Sequence, residues 1–292
     1  MRKVILYYKY INIKEPLLLK DSEIRICEKL NLKGRIIISK EGINGTLSGD
    51  KKDIEEYKKN LLSQEQFKDI VFKESFSRID VFPKLLVKIR DEIVSLKQNI
   101  DINGKDKRGE YISPEDFHSI IEREDENVII LDARNSYESY IGKFKGAITP
   151  DIDNFRDFPK VIDILKKYKN KKIVMYCTGG VRCEKASSLL RNNGFKDVSQ
   201  LKDGILNYAN SYPSDFEGKC YVFDRRIAVE IDPLSKIISV CKHCKIPSDR
   251  YINCIYKKCN IQFICCESCD IENQHSCSQN CYSSVFINHF PN

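Results

Sequence analysis

The chain has 292 residues, with 49 Lys and Arg against 42 Asp and Glu, and a formal net charge of +7. This length excludes a minimal single domain and allows two or three domains, while the charge excess is compatible with a polyanionic partner without requiring one. The first residues, MRKVILYYKY, contain no long apolar core and no small-residue cleavage site, so we expect no membrane segment. Thirteen Cys without a secretory signal predict a cytoplasmic location, where thiols bind metal or catalyse reactions.

Residues 1–95 predict a small α+β domain. Apolar runs and amphipathic patterns predict a strand at Val4–Tyr8, a helix at Glu15–Leu32, strands at Arg35–Ile38 and Thr46–Leu47, a helix at Asp50–Leu62, and strands at Ile70–Lys73 and Leu85–Ile89. We place a hairpin turn at Glu41–Gly45, because glycines and the Asn-Gly pair tolerate positive φ. The order β-α-β-β-α-β predicts a ferredoxin-like sandwich.

A ferredoxin-like domain serves as an RNA-binding platform in some proteins and as a scaffold in others, so the fold leaves both functions open. The candidate phosphate contacts are Arg35, Lys40, Lys51, Lys52, Lys58, Lys59 and Arg78. The alternative is that most of these cations are ordinary solvated side chains.

Residues 96–112 are predicted to be a linker, because the stretch DINGKDKRG is charged and contains glycine. Residues 113–225 then alternate between helical and apolar strand patterns, beginning with Ser113 as a helix N-cap followed by Pro114. The predicted strands are Val128–Leu131, Ile173–Met175 and Asp197–Leu201, with a helix at Val161–Tyr168 and a last helix after Ile205. This alternation predicts an α/β domain with a parallel sheet and helices on both faces.

The loop that opens on Cys177 follows a buried strand and precedes a helix that is predicted from Glu184 onward. Its backbone N–H groups can converge on an anion, and the predicted anion-binding residues are Thr178, Gly179, Gly180 and Val181. The helix N-terminus and the charge of Arg182 both favour a thiolate at Cys177. We therefore predict that Cys177 and Arg182 are catalytic, against the alternative that Cys177 is a small core residue. Cys183 could resolve an oxidised Cys177 or simply pack beneath the loop.

The tail, residues 226–292, contains nine of the 13 Cys. Eight of them form four closely spaced pairs, and four thiolates bind one tetrahedral zinc ion, so we predict two structural zinc ions. The predicted ligands are Cys241, Cys244, Cys254, Cys259, Cys266, Cys269, Cys277 and Cys281. Cys265 is left over, because Cys266 gives the CxxC spacing.

The pairing of these cysteines stays open at this point, and one possibility is an interleaved arrangement that joins the first pair to the third and the second to the fourth. An iron–sulfur cluster, disulfides, or replacement of one Cys ligand by His243, His275 or His289 are the alternatives. The tail is short and poor in apolar residues, so metal would supply much of its folding free energy.

Five segments and the Cys-rich tail together carry a family resemblance. The segments are GRIIISKEGINGTLSG at 34–49, DARN at 132–135, IGKFKGAI at 141–148, YCTGGVRCEKAS at 176–187 and CYVFDRR at 220–226. They resemble the rhodanese-like tRNA uridine(34) hydroxylases over nearly the whole chain. The resemblance implies an acylphosphatase-like domain at 1–95, a rhodanese-like domain at 113–225 whose loop cysteine carries a persulfide, and oxygen-dependent hydroxylation of the wobble uridine of tRNA to 5-hydroxyuridine.

By the same resemblance, Asp132 and Arg134 are structural supports of the loops around the nucleophile. Two positions depart from the family pattern. Lys143 stands where many relatives have His, which removes a titratable imidazole. Asp203 stands where Gly is usual, in a turn that favours positive φ, a conformation that Asp tolerates better than most residues.

Three functions fit these observations: a tRNA hydroxylase that uses Cys177, a sulfurtransferase that carries a persulfide, and a non-enzymatic RNA-binding zinc scaffold. The first is preferred, with tRNA as the partner, and the oligomeric state stays open. The sequence contains no two-His-one-carboxylate motif, haem signature or flavin fingerprint, so no organic cofactor is predicted and hydroxylation rests on the resemblance. One conceivable route has the Cys177 sulfur attack C6 of uracil and make C5 electron-rich toward an oxidant.

Overall fold

The structure is a computed structural model that describes residues 1–102, 104 and 107–286. His289, one of the alternative metal ligands, and residues 103, 105 and 106 of the predicted linker lie outside the described residues. The helices are α1 (Pro16–Lys29), α2 (Lys51–Leu62), α3 (Pro114–Arg123), α4 (Ser136–Ile141), α5 (Val161–Leu165), α6 (Val181–Asn192), α7 (Gly204–Tyr208), α8 (Glu267–Glu272) and α9 (Gln279–Phe286).

The strands form four sheets. In chain order they are β1 (Arg2–Tyr10), β2 (Lys33–Ser39), β3 (Gly42–Gly49), β4 (Lys73–Ser77), β5 (Leu85–Ile89), β6 (Glu110–Ile112), β7 (Val128–Asp132), β8 (Gly142–Phe144), β9 (Lys172–Tyr176), β10 (Val198–Leu201), β11 (Phe216–Tyr221), β12 (Ala228–Glu230), β13 (Tyr251–Asn253) and β14 (Gln262–Ile264).

The N-terminal sheet has the strand order β4-β1-β3-β2-β5. Its first four strands have the order of a ferredoxin-like sandwich, and β5 adds a fifth strand parallel to β2. Alternate residues such as Ile5, Ile36 and Ile43 are buried in one core with Ile54 and Leu61 of α2. Because side chains alternate along a strand, the intervening residues lie on the opposite face, which is free of helices α1 and α2.

The predicted hairpin is present, since β2 and β3 pair antiparallel, but the predicted extent of its turn, Glu41–Gly45, is wrong. The turn is Lys40–Glu41, and β3 already begins at Gly42. The glycines serve close packing, since a Cβ on Gly45 would lie 2.3 Å from Cζ of Tyr7 on the neighbouring strand. A glycine that makes room for a neighbouring ring cannot be distinguished by sequence from a glycine that makes a turn.

The predicted strand at Ile70–Lys73 is also misplaced, because β4 runs from Lys73 to Ser77. The backbone at Glu65–Phe67 forms a 3₁₀ turn, and the Ile70 N–H donates to the Phe67 carbonyl at 3.0 Å. Phe67 and Ile70 are buried in the N-terminal core, so their apolar character reflects a turn packed under the helices.

The second sheet has the order β6-β10-β9-β7, and all of its pairs are parallel. Helices α5 and α6 contribute to the core on one face, with residues such as Leu165 and Leu189. Helices α3 and α7 contribute to the core on the other face, with residues such as Phe117 and Tyr208. The predicted α/β class is therefore confirmed: a parallel sheet with helices on both faces, an N-terminal α+β domain and a Cys-rich tail.

The other two sheets connect to the tail. One has the order β12-β11-β8 and the other pairs β13 with β14. Strand β6 lies inside the segment that we predicted as a linker, and β12 lies beyond residue 225 but pairs with β11. Among the described residues, no helix has the length and apolar character needed to cross a membrane.

Candidate active site and metal centres

Cys177 follows the last residue of β9 and lies at the carboxyl edge of the parallel sheet, where open α/β proteins place their ligands. The Gly180 N–H donates a hydrogen bond to the Cys177 sulfur at 3.2 Å, and Gly180 has φ of 97°. Helix α6 begins at Val181, earlier than the predicted Glu184, so its N-terminus adjoins the loop. The loop thus directs donors and a positive helix end toward Cys177.

The pKa of Cys177 is lowered to about 6. Complete burial acts in the opposite direction, because it favours the neutral thiol. A hydrogen bond from the Cys183 thiol, the charge of Arg182, and the backbone N–H groups of Arg182 and Cys183 outweigh burial. Burial and this same hydrogen bond raise the pKa of Cys183, which keeps its proton and acts as the donor. At neutral pH, Cys177 is therefore a thiolate next to a neutral thiol.

Arg182 is held by a carboxylate that the sequence did not single out. Its Nη2 lies 2.8 Å from Oε2 of Glu138, which is fully buried, and 3.3 Å from Oγ1 of Thr178. Burial lowers the pKa of Arg182, but the Glu138 carboxylate more than compensates, so the guanidinium stays charged. Glu138 also accepts the Asn135 N–H at the start of α4, at 3.1 Å. Arg182 thus fixes the loop to α4 in addition to lowering the Cys177 pKa.

Cys177 lines a cleft of about 360 Å³ between the two sheets. The cleft is mainly apolar, and its apolar walls include Val4, Leu6, Ile37, Phe82, Phe155, Leu206 and Phe223. Thr178, Gly179, Val181 and Arg182 also line it, so the structure brings most of the predicted loop to the cavity. A volume of this size, with a mainly apolar surface and polar groups at defined positions, suits one small ligand or one nucleotide unit.

The N-terminal sheet forms one wall of the cleft. The lining residues alternate along its strands, as expected for one face of a sheet: Val4 and Leu6, Arg35 and Ile37, Asn44 and Thr46, and Lys73 and Ser75. Of the seven candidate phosphate contacts, Arg35 lines the cleft and the other six do not.

The two glycines of the loop allow this wall to approach. A Cβ on Gly179 would lie 2.6 Å from Cδ2 of Leu6, and one on Gly180 would lie 2.8 Å from the Tyr8 hydroxyl. In the sequence analysis, these glycines were accounted for only by the backbone conformation that lets N–H groups converge on an anion. They also make room for β1.

Helix α6 fastens the two domains next to Cys177. Glu184, almost fully buried, accepts hydrogen bonds from Tyr8 at 3.0 Å, Arg108 at 2.8 Å and Tyr111 at 2.5 Å. The adjacent Lys185 lies 2.8 Å from Glu41 and 2.8 Å from Glu92 of the N-terminal region. Burying both charges requires these partners, so the N-terminal domain has a defined position over the loop.

Asp132 and Arg134 form a buried ion pair of 2.6 Å, and neither lines the cleft. Arg134 also donates to the Gly142 carbonyl at 2.6 Å, and Asp132 accepts from the Tyr176 hydroxyl at 2.8 Å. These contacts join β7, β8 and β9 beneath the site, which agrees with a supporting role.

Asp203 has φ of 63°, as expected from its turn, and its carboxylate lies 2.6 Å from Nζ of Lys73 on β4. The following Gly204 lets α7 approach the loop, since a Cβ there would lie 2.5 Å from the Cys177 carbonyl oxygen. The Ile205 N–H donates to that oxygen at 3.0 Å. The replacement of Gly by Asp therefore adds a contact between the domains.

The segment after β11 forms a third part of the cleft. In the sequence analysis this segment served only to support the family resemblance. Val222, Phe223, Asp224 and Arg226 line the cavity. Arg226 pairs with Asp224 and donates to the Ser75 hydroxyl of β4 at 3.0 Å.

Long-range pairs such as Arg182 with Glu138 and Lys73 with Asp203 leave no signal in a single sequence.

The tail cysteines gather in two groups, and in each group the four sulfur atoms all lie within 4.8 Å of one another. The groups are Cys241, Cys244, Cys266 and Cys269, and Cys254, Cys259, Cys277 and Cys281. This is the interleaved arrangement. Pairs such as Cys244 with Cys266 and Cys259 with Cys277 are 3.6 Å apart.

These separations test which ligand fits. A disulfide requires about 2.05 Å between sulfur atoms, far less than the 3.6 Å observed for Cys277 and Cys281. A tetrahedral zinc ion with Zn–S bonds of about 2.3 Å places its sulfur ligands about 3.8 Å apart. Each of the two groups can therefore hold one metal ion.

The remaining candidates lie outside both groups. Cys265 is buried but belongs to neither. His243 contacts the Ser276 carbonyl at 3.1 Å, and His275 lies 2.7 Å from Asp270, so both imidazoles are engaged elsewhere.

Three family models match the chain. Residues 2–93 match the UPF0176 acylphosphatase like domain, residues 113–211 the Rhodanese-like domain, and residues 217–282 the Rhodanase C-terminal family. A protein of Bacillus licheniformis named tRNA uridine(34) hydroxylase is 42% identical over 284 residues, covering 96% of this chain and 86% of the relative. A protein of the same name from Staphylococcus carnosus is 42% identical over 288 residues, covering 96% and 89%.

Proposed function

The chain belongs to the tRNA uridine(34) hydroxylase family, and we propose that it is an oxidoreductase that hydroxylates the wobble uridine of tRNA to 5-hydroxyuridine, with molecular oxygen as co-substrate. The observation that carries this proposal is the low-pKa Cys177 thiol in an apolar cleft large enough for one nucleotide unit. Enzymes that modify a base take it out of the stack and bind it in such a pocket.

Cys177 is the nucleophile in this proposal. Its thiolate adds to C6 of the uracil ring and makes C5 electron-rich, so that C5 forms a bond to molecular oxygen and, after protonation, carries a hydroperoxide. A thiol reductant from solution then supplies two electrons that break the O–O bond, which leaves a hydroxyl group at C5 and releases the second oxygen atom as water. Loss of the C5 proton breaks the C6–S bond, restores the C5–C6 double bond and returns Cys177 as the thiolate. The thiolate, and not the thiol, is the reactive form, so the pKa of about 6 supplies the nucleophile at neutral pH. The backbone of the loop Thr178–Val181 and the Arg182 guanidinium stabilise negative charge, and Asp132, Arg134 and Cys183 support the loop.

The two cysteine groups of the tail are proposed to bind structural zinc. Zinc prefers four thiolates in closed tetrahedral sites, and the geometry of both groups supports one ion each. When bound, the metal joins distant parts of the tail; no step of the reaction involves it. The ligands are then the eight cysteines named for the two groups, with Cys265 uncoordinated.

The proposed division of the chain is an acylphosphatase-like domain at 1–95, a linker at 96–112 whose last three residues pair with the parallel sheet as β6, a rhodanese-like domain at 113–225 and a zinc-binding region at 226–292. The thiolate at Cys177 and the eight thiols of the tail need a reducing compartment, which supports the cytoplasm, where tRNA is available.

A sulfurtransferase is the second candidate, because the Gly180 N–H already donates to the Cys177 sulfur and such a loop can stabilise a persulfide. Mass spectrometry of tRNA nucleosides from a strain lacking the protein separates the two. The hydroxylase predicts loss of wobble bases derived from 5-hydroxyuridine. A sulfurtransferase predicts loss of thiolated bases, and a zinc scaffold predicts no change; either result would reject the hydroxylase.

A further inference from the structure

Four cationic side chains line the cleft, and only three of them are paired with carboxylates. The cations are Arg35, Lys73, Arg182 and Arg226. Three of them pair with carboxylates: Lys73 with Asp203, Arg182 with Glu138, and Arg226 with Asp224. The Arg35 side chain is exposed and forms no ion pair or hydrogen bond within residues 1–102, 104 and 107–286. The one acidic residue in the lining, Asp224, is already paired with Arg226.

Arg35 lies in the middle of the sheet wall. On β2 it is opposite Thr46 of β3, and Thr46 is opposite Leu6 of β1, so the three residues form one row across the face. Leu6 is the residue that approaches Gly179 of the catalytic loop. Two strand spacings place the Cα of Arg35 about 10 Å from that of Leu6, so its side chain enters the cleft from the side away from Cys177.

This position relative to Cys177 is fixed by contacts between the domains. The Tyr10 hydroxyl donates to the Val181 carbonyl at 3.2 Å, and Tyr8 donates to the buried Glu184. Lys185 is buried between two carboxylates of the N-terminal region. The strand that carries Arg35 therefore keeps a fixed position relative to Cys177, and the unpaired cation and the thiolate line one apolar cavity.

An apolar cavity with one unpaired cation at its far side fits a ligand with a planar ring and one neighbouring negative charge. A nucleotide has this composition, and most hydrogen bonds that position a nucleic acid on a protein go to its phosphates. Burying the uracil ring near Leu6 and Phe223 would leave its backbone phosphate needing a partner. The other three cations are neutralised, so Arg35 is the available one.

We propose that Arg35 is a positioning residue that binds the backbone phosphate next to the modified uridine while the uracil lies at Cys177. The proposal rests on the proposed function, which supplies a uridine in tRNA as the ligand. It assigns the N-terminal domain a direct share in substrate binding through its sheet face. A phosphate contact does not depend on the identity of the base, so Arg35 contributes to affinity and to the position of the RNA backbone. Recognition of the uracil base is left to Cys177 and the apolar walls of the cleft.

The test uses the full chain and an unmodified tRNA transcript with uridine at position 34, beside the same transcript with cytidine there. Replacing Arg35 with Ala should weaken binding to both transcripts by a similar factor, about tenfold or more, because a hydrogen bond to a charged group is lost. The slope of log Kd against log salt should fall by about 0.7 to 1, the share of one phosphate. Arg35→Lys should recover part of the affinity and of the slope.

Two controls separate a phosphate contact from a structural effect. Arg25→Ala removes an exposed Arg of α1, on the other face of the N-terminal sheet, that does not line the cleft, and it should leave the Kd unchanged. The pH profile of Cys177 alkylation in Arg35→Ala should keep its midpoint near 6. With hydroxylation as the readout, Arg35→Ala should raise KM more than it lowers kcat.

The proposal is overturned if Arg35→Ala binds the transcripts with the same Kd and salt slope as the unchanged protein. It is also overturned if the alkylation midpoint shifts, since Arg35 would then act on the thiol. Failure of the unchanged protein to support 5-hydroxyuridine formation would reject the proposed function instead, and the binding measurement would still decide whether Arg35 contacts a phosphate.

Discussion

Replacing Cys183 with Ala is expected to raise the pKa of Cys177. The Cys183 thiol donates a hydrogen bond to the Cys177 sulfur, and among the interactions that lower this pKa it is the largest. A hydrogen bond to a charged group contributes about 1.5–3 kcal/mol, and about 1.4 kcal/mol corresponds to one pKa unit. The pKa of Cys177 should therefore rise from about 6 to between about 7 and 8.

This change has a measurable consequence at neutral pH. With a pKa of about 6, about 90% of Cys177 is thiolate at pH 7, and with a pKa of 8 the fraction is about 10%. The rate of iodoacetamide alkylation should be measured against pH, with the Cys177 peptide quantified by mass spectrometry because the chain has 13 Cys. Reactivity is lost as the pH falls through the pKa, so the variant's curve should shift to higher pH.

A matched control exists in the N-terminal core. Cys27 is also fully buried, and Cys27→Ala makes the same substitution away from the cleft. It should leave the alkylation midpoint of Cys177 near 6. If Cys183→Ala also keeps that midpoint, the thiol hydrogen bond does not lower the pKa, and the loop N–H groups with Arg182 must be sufficient.

Three further predictions follow from buried groups and from the tail. Burial raises the pKa of Glu23 to about 7, so the stability that its protonated form contributes is lost as the pH rises from about 4.5 through 7. Glu23→Gln should remove up to about 3 kcal/mol from the pH dependence of the free energy of unfolding in urea, and an unchanged pH dependence would contradict this prediction. Arg182→Ala should raise the pKa of Cys177, because the nearby positive charge is lost. It should also lower the free energy of unfolding by about 3–5 kcal/mol, because the Glu138 carboxylate stays buried without its partner, and a variant of unchanged stability would refute this. Chelation should increase hydrogen exchange across residues 241–281 and leave the parallel sheet protected, and unchanged exchange in the tail would exclude a structural metal.

The strand, loop and helix around Cys177 were predictable because their signals are local. A continuous apolar run predicts a buried parallel strand, and glycines directly after a reactive residue predict a loop of converging N–H groups. Ser113 acts as the predicted N-cap, accepting the Asp116 N–H at 3.1 Å. The four cysteine pairs were predictable for the same reason, since their close spacing lets two sulfur atoms reach one metal ion, but the sequence left open which pairs form a group.

The cleft was not predictable, because its walls come from segments far apart in the chain. Arg35 carries no mark in the sequence that separates it from Lys40 or Lys52. Only the packing of the N-terminal sheet on the loop decides which of them lines the cleft. Likewise, Glu138 was invisible as the partner of Arg182, since 44 positions separate them.

The errors in the N-terminal region have a similar origin. Gly45 looked like a turn residue, but it lies in β3 because Tyr7 occupies the space of a side chain. Ile70 looked like strand, but it packs under the helices after a 3₁₀ turn. In both cases tertiary packing, which a local pattern does not contain, determined the conformation.

The central claim is that the Cys177 thiolate carries out hydroxylation of the wobble uridine with molecular oxygen. The most direct measurement complements a strain lacking the protein with the unchanged chain or with Cys177→Ser, and grows both under ¹⁸O₂. Mass spectrometry of tRNA nucleosides should then find 5-hydroxyuridine or its derivatives with one ¹⁸O atom in the first strain and none in the second. Full hydroxylation by Cys177→Ser, or a hydroxyl oxygen without the label, would contradict the account.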